Sequence, residues 1–232
     1  MTTLQTRWKE VRGRIERACA QAGRAADAVQ LLAVSKVQTD QAVREAAALG
    51  QQAFGENYVQ EVLDKMAALS DLRPQLEWHL IGPLQSNKTR PVAEAFDWVH
   101  SVDRLKIAQR LSEQRPDTLP PLNVCLQVNI SGEASKSGVT PGELSALARA
   151  IAGLPRLRLR GLMSIPEPVQ GFEAQRTPHR ALRALFEQLR AEGLALDTLS
   201  MGMSDDLEAA ITEGSTLVRV GTALFGPRPR PA

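Results

Sequence analysis

Lys36 closes the run Leu31-Leu32-Ala33-Val34-Ser35-Lys36. The apolar stretch has the length of a buried strand, and α/β proteins place their chemistry at the carboxyl ends of such strands. Low dielectric there disfavours an ammonium, and a neutral amine attacks a carbonyl to form an imine. The plain alternative is a lysine that marks where a strand meets water. Two later segments suit a phosphate. Met201-Gly202-Met203-Ser204-Asp205-Asp206 ends an apolar run and opens a helix, so Ser204 offers a hydroxyl beside free main-chain N–H groups. Arg219-Val220-Gly221-Thr222 adds a fixed positive charge, a close approach of the backbone at Gly221 and a second hydroxyl. Asp205 and Asp206 suit a helix amino terminus but would repel a phosphate they faced, so both are expected to point away. The plain reading of these segments is an N-cap and a turn.

These residues need elements to position them. Leu4, Trp8, Val11, Ile15 and Ala18 recur at helical spacing within 3–22, with Gly23 as a stop. From Leu31 an alternation begins. Strands are expected at 31–35, 52–55, 77–81, 97–101, 122–130 (the longest), 157–163, 198–202 and 216–220. Helices are expected near 40–49, 56–69, 87–95, 103–113 and 141–152, then from Pro178 to 192 after a long loop, and at 205–213. Thr39 and Asp103 are the expected caps of two of them, and Pro141 suits a first helical position. Strands alternating with helices predict a parallel sheet. A count of eight favours a closed (β/α)8 TIM barrel, one domain over 1–232 with an extra amino-terminal helix; an open doubly wound sheet is the alternative. The prolines at 116, 120 and 121 make too short a break for a linker, and the tail from about 227 is expected to be disordered. No G-x-G-x-x-G follows the first strand, which argues against dinucleotide binding.

Closure of a barrel pairs strands one and eight, so Lys36 and the phosphate-binding loops become neighbours at the mouth. An aldehyde joined to a phosphate would span them, and pyridoxal 5′-phosphate is such a ligand. Its aldehyde would form the imine with Lys36, and its phosphate would rest on Ser204, Gly221 and Thr222. Arg219 is placed near the ring nitrogen or the phosphate. At the ring nitrogen, an arginine would weaken the ring as an electron sink and so limit the chemistry.

Composition bounds the rest. The chain has 232 residues, 43% apolar and 23% charged, with a formal charge of +2. That is an ordinary globular composition, and it implies no broad surface for nucleic acid. Cys19 and Cys125 make neither a disulfide framework nor a zinc-like spacing. His100 and His179 show no ligand spacing, so no metal is expected. The first ten residues lack a signal-peptide core and no run approaches membrane-spanning length. A cytoplasmic monomer with no membrane partner is expected.

The stretch Trp78-His79-Leu80-Ile81-Gly82-Pro83-Leu84-Gln85-Ser86-Asn87-Lys88 resembles the signature of the pyridoxal phosphate homeostasis proteins, with Leu80 where that family usually has Phe or Met. Ala33-Val34-Ser35-Lys36, Phe54-Gly55-Glu56-Asn57-Tyr58, Val128-Asn129-Ile130, Gly161-Leu162-Met163, Met201 to Asp206 and Arg219 to Gly226 match as well, over about residues 5–228. The resemblance implies a barrel similar to the amino-terminal domain of alanine racemase. It also implies pyridoxal phosphate held as an imine on Lys36, and a role in regulating cofactor supply with no established catalytic reaction. Pyridoxal phosphate-dependent apoenzymes are then the expected recipients. Asn57 is a donor to the ring oxygen or a helix cap, and the resemblance favours the donor. His79 is a packed, hydrogen-bonded histidine or a general base. The cofactor-binding candidates are therefore Lys36, Asn57, His79, Met201, Ser204, Arg219, Gly221 and Thr222. Lys88 and Lys136 compete for the lysine role, each against the plainer reading of a solvated side chain. The alternative function is a pyridoxal phosphate-dependent racemase or related fold-type III enzyme. Such enzymes need a second acid/base, commonly a tyrosine on a further carboxyl-terminal domain. Tyr58 is the only tyrosine and the chain ends at 232, so a binding protein is expected in preference to an enzyme.

Overall fold

Parallel strands covered on both faces read as near-continuous apolar runs, and in the computed structural model, which describes residues 3–132 and 137–227, eight such runs become strands. They are Gln30–Val34 (β1), Ala53–Glu56 (β2), Glu77–Leu80 (β3), Trp98–Val102 (β4), Leu122–Gln127 (β5), Leu157–Met163 (β6), Thr198–Ser200 (β7) and Leu217–Val220 (β8). Each pairs in parallel with the next. β1 closes on β8, with Leu31 opposite Val218 and Ala33 opposite Val220. Helices Asp40–Ala48 (α2), Val59–Ala68 (α3), Thr89–Ala95 (α4), Leu105–Gln114 (α5), Pro141–Ala152 (α6), Phe172–Ala191 (α7), Leu207–Thr212 (α8) and Thr222–Phe225 (α9) follow the strands in turn, and Leu4–Gln21 (α1) precedes them all. The architecture is a (β/α)8 TIM barrel.

The period of two splits each strand between two cores. Leu31, Ala33 and Phe54 face the helices in the large outer core, whereas Leu32, Ala53 and Leu217 pack together inside the barrel. Trp98, Cys125 and Met163 form a second inner cluster. The buried stripe Val11, Ile15 and Ala18 holds α1 against the outside of the barrel. From there Arg14 reaches the Ser204 carbonyl at 2.9 Å, and Arg7 reaches the Leu224 and Phe225 carbonyls at 2.8 and 3.2 Å.

Several boundaries differ from the sequence expectation. Strand five stops at Gln127 because the Asn129 N–H turns to the Val139 carbonyl, so β6, with seven residues, is the longest. Glu56 ends β2 instead of opening a helix, and α3 starts at Val59. Asp103 pairs with Arg104 and does not cap α5, which begins without a side-chain cap. Pro178 lies inside α7. The turns ahead of it are held by Gln175, which donates to the Val169 and Asp205 carbonyls, and by the Glu173–Arg176 pair. Thr39 does cap α2, accepting from the Ala42 N–H at 3.2 Å. Lys136 and the tail from 228 lie outside the described residues. Among the described residues no helix is long and apolar enough to cross a membrane.

Candidate functional site

Leu32, Val34 and Lys36 share one parity along and just beyond β1. That parity delivers the Lys36 amine to the inner mouth of the barrel, where a cleft of about 240 Å³ opens. Its polar lining is Lys36, Asn57, Ser204, Asp205, Arg219 and Thr222, with Gly221 between the last two; Val34, Ile81, Ile165 and Met203 supply apolar walls. Larger, shallower depressions lie elsewhere, one of about 720 Å³ beside Arg190 and Leu194, and they bring together no comparable set of amine, hydroxyls and guanidinium.

The strand ends explain the arrangement. Gly82 lets the chain leave β3 against Asn57, since a Cβ at Gly82 would sit 2.5 Å from the Asn57 carbonyl oxygen. The Asn57 Oδ1 is buried and makes no hydrogen bond among the described residues, so a ligand group would satisfy that amide. On the other side, α9 starts at Thr222 immediately after Gly221, and the first turn of a helix leaves its N–H groups without intrahelical acceptors. The Ser204 hydroxyl lies 3.4 Å from the Ala223 nitrogen, which donates to it. Asp206 is turned away as expected, accepting from His179 Nε2 at 3.0 Å and from the Met203 N–H at 2.6 Å. Burial would raise the Asp206 carboxyl, but the His179 bond, the Met203 N–H and the charge of Arg219 together outweigh it and hold the group below its usual range. Asp205 does not follow the expectation: it is exposed and contributes to the cleft lining.

The floor of the cleft is Arg219, which is buried but for its cleft edge. Burial lowers its guanidinium to about 10, so it keeps its charge at neutral pH. It donates to the Ser164 and Ser200 carbonyls at 2.8 and 2.6 Å and to Ser200 Oγ at 2.8 Å. From Ser200 a buried polar chain runs down the barrel. Ser200 Oγ is 2.8 Å from His100 Nδ1, His100 Nε2 is 2.9 Å from His79 Nδ1, and His79 Nε2 is 3.2 Å from Glu77 Oε2 at the opposite rim. Burial drives the His100 imidazole well below its ordinary range, so that ring is neutral. One donor direction then serves the hydrogen-bonded links, Arg219 to Ser200, Ser200 to His100 and His100 to His79, while His79 Nε2 lies against Glu77 without hydrogen-bond geometry. Burial alone would raise the Glu77 carboxyl, yet the adjacent His79 ring and the bond from Trp98 bring it down to about 2.

A second buried network stands behind the wall that carries Lys36. The Lys65 ammonium on α3 donates to the Ser35 carbonyl at 2.7 Å, to Glu56 Oε1 at 2.8 Å and to Glu61 Oε1 at 2.7 Å. The Ser35 hydroxyl donates to Glu56 Oε1 at 2.7 Å, and the Val37 N–H donates to Glu61 Oε1 at 2.6 Å. Burial pushes the Glu56 carboxyl up against the pull of Lys65 and Ser35.

Of the residues singled out in the sequence, Lys36, Asn57, Ser204, Arg219, Gly221 and Thr222 meet in the cleft. His79 does not line it; the ring is sealed inside the barrel, stacked on Trp98 at 5.2 Å. Met201 does not line it either, being fully buried in the outer core, and Met203 takes that place. Lys88 is exposed in a short turn after Gln85 and stays outside the cleft. Sequence reading missed Lys65, Glu56 and Glu61. The i, i+4 spacing of Glu61 and Lys65, on the side of α3 that buries Val62, is the signal that was available. An amine, two hydroxyls, a guanidinium and apolar walls in one cleft suit a flat anionic aldehyde such as pyridoxal phosphate.

The sequence matches the family model of the alanine racemase N-terminal domain over residues 11–229. The pyridoxal phosphate homeostasis protein of Pseudomonas aeruginosa is 64% identical over 228 residues, which cover 98% of this chain and 97% of that protein. PipY of Synechococcus elongatus, solved without PLP, shares 39% identity with a TM-score of 0.85 over 97% of this chain and 100% of PipY. PipY with PLP bound gives 40% and 0.79 over 92% of this chain and 100% of its own.

Proposed function

The chain belongs to the alanine racemase N-terminal domain family and, within it, to the pyridoxal phosphate homeostasis proteins; from that premise we propose that it binds pyridoxal 5′-phosphate at the barrel mouth, buffers it and passes it to apoenzymes that need it. One observation carries this reading. Lys36 after β1 and the Ser204, Gly221 and Thr222 group line a single cleft of about 240 Å³. PipY, alike over its whole length, binds PLP. Lys36 would hold the carbonyl carbon as an imine, the aldehyde oxygen leaving as water. The Ser204 and Thr222 hydroxyls donate to the phosphate, Arg219 supplies a charge that its carbonyl partners keep in place, and Asn57 bonds the ring oxygen. Ile81, Ile165 and Met203 exclude water from the ring faces. The bound group supplies an electrophilic carbonyl.

The racemase alternative needs a second acid/base opposite Lys36. Tyr58 is 58% exposed and does not line the cleft, and His79 is committed to the barrel interior. That supports storage and release over turnover. Absorbance titration with pyridoxal phosphate, then borohydride reduction and peptide mapping, is expected to find the adduct on Lys36 and to lose it in Lys36→Ala. An adduct elsewhere overturns the site. Racemisation or transamination at ordinary enzymatic rates, abolished by Lys36→Ala, overturns the function.

A further inference from the structure

The turn that presents Lys36 is strained. The Gln38 N–H closes it on the Ser35 carbonyl at 3.0 Å, and Val37, immediately after Lys36, has φ +59°. A β-branched residue rarely adopts that conformation, and one that does so persists where its surroundings over-determine it. The surroundings here are the Lys65 cluster, which grips both sides of Lys36. Lys65 holds the Ser35 carbonyl on one side, and Glu61, bound to the same ammonium, holds the Val37 N–H on the other. Glu56 anchors Lys65 and the Ser35 hydroxyl from beneath, at the end of β2.

The cost of this cluster points to its role. Lys65 is 7% exposed and Glu56 is fully buried, with its Oε2 making no hydrogen bond among the described residues. A buried ion pair is seldom the most stabilising way to fill such a wall, because apolar residues of similar volume often do as well or better. What apolar residues cannot do is fix a carbonyl and an N–H two residues apart. We infer that Lys65, acting through Glu61 and Glu56, is the positioning residue for Lys36: it holds the strained turn in the one conformation that aims the amine into the cleft. The inference deepens the proposed function and rests on Lys36 as the cofactor-holding residue.

The ligand-free protein is followed by amide hydrogen exchange and by unfolding, and its titration with pyridoxal 5′-phosphate by imine absorbance. Lys65→Met is expected to weaken cofactor binding about tenfold and to speed exchange of the Val37 amide by a similar factor in protein that remains folded. Val37→Gly adopts a positive φ freely and removes a side chain that is 43% exposed. Alone it is expected to change affinity less than about threefold; combined with Lys65→Met it restores most of the lost affinity. A lysine that merely supports the fold would not be rescued in that way. If Lys65→Met fails to fold, Glu61→Gln carries the same test at about threefold, because it removes only the charge on the Val37 acceptor. Native affinity and native Val37 exchange in whichever variant folds, or no recovery with Val37→Gly, overturns the inference. Lys36→Ala separates the two readings. Imine absorbance that survives in it sinks the role of Lys36, whereas Val37 exchange is read without cofactor and tests the clamp alone.

Discussion

Two buried polar networks flank the mouth, and they are built on opposite plans. The inner one sets its charges at its ends, Arg219 at the cleft and Glu77 at the far rim, with Ser200, His100 and His79 between them. The outer one sets an ammonium against two carboxylates within 2.8 Å and presses the group against a strained turn. The inner chain spreads its dependence over several links, and Arg219 keeps two carbonyl partners if a histidine is lost. The outer cluster rests on one residue. Separated charges joined by hydrogen-bonded groups tolerate damage; compact charge around a single cation does not.

That contrast can be broken by mutation. Lys65→Met strands the Glu56 and Glu61 carboxylates and is expected to cost about 3–5 kcal/mol near neutral pH in denaturant unfolding. An unchanged midpoint would remove the distinction. The loss is expected to shrink as pH falls, because Glu56, already raised, takes up its proton and ceases to need a partner. His100→Leu leaves His79 and Ser200 each short of one bond and is expected to cost about 1–3 kcal/mol, with cofactor affinity changed little. A larger loss of affinity than of stability would show that the chain controls Arg219 more tightly than its carbonyl partners do.

The two networks also respond to acid with opposite signs. The folded Glu77 carboxyl lies at about 2, below its ordinary 4.5. Its contribution is therefore complete above pH 4.5 and is lost as pH falls toward 2. Because its side chain is 37% exposed, the contribution is about 1–2 kcal/mol after allowance for solvent screening. The Glu56 carboxyl is raised, so the folded state binds that proton more tightly, and stability grows as pH falls from the folded value toward 4.5. Glu77→Gln is expected to flatten the stability curve below pH 4.5, and Glu56→Gln to flatten it above. Stability curves that bend in the same region for both variants would contradict the assignment. Asp103→Ala, which touches neither network, is expected to stay within about 0.5 kcal/mol.

The barrel and most of the mouth were legible because buried parallel strands are written as apolar runs and because parity carries Lys36 inward. The phosphate side was legible because a hydroxyl, a glycine and an arginine follow two adjacent strands. What was not legible depends on register and on pairing across the fold. Met201 read as a site residue because strand seven was expected to reach 202. It ends at Ser200, and Gly202 at φ +94° resets the direction of the chain, so Met203 enters the cleft. His79 has the packed, hydrogen-bonded ring that was one of its two readings and not the cofactor contact: opposite it on β4 is Trp98, two residues before His100, and the two imidazoles meet inside the barrel. The role of Lys65 was not legible, since its three partners come from two strand ends and its own helix. Pro178 was expected to begin a helix, and tertiary bonds from Gln175 instead support the turns before it.

The first helix gives the mouth a history as well as a shape. Arg14 and Arg7 bind carbonyls 190, 217 and 218 residues further along the chain. Contacts of such separation are the slow ones to form. On a ribosome that adds about 5–20 residues per second, Lys36 emerges roughly 10–40 s before Thr222. Throughout that interval the nascent chain displays a lysine with no finished cleft around it. Competence to take up the cofactor therefore arrives only when the last strand closes on the first and the first helix fastens it there.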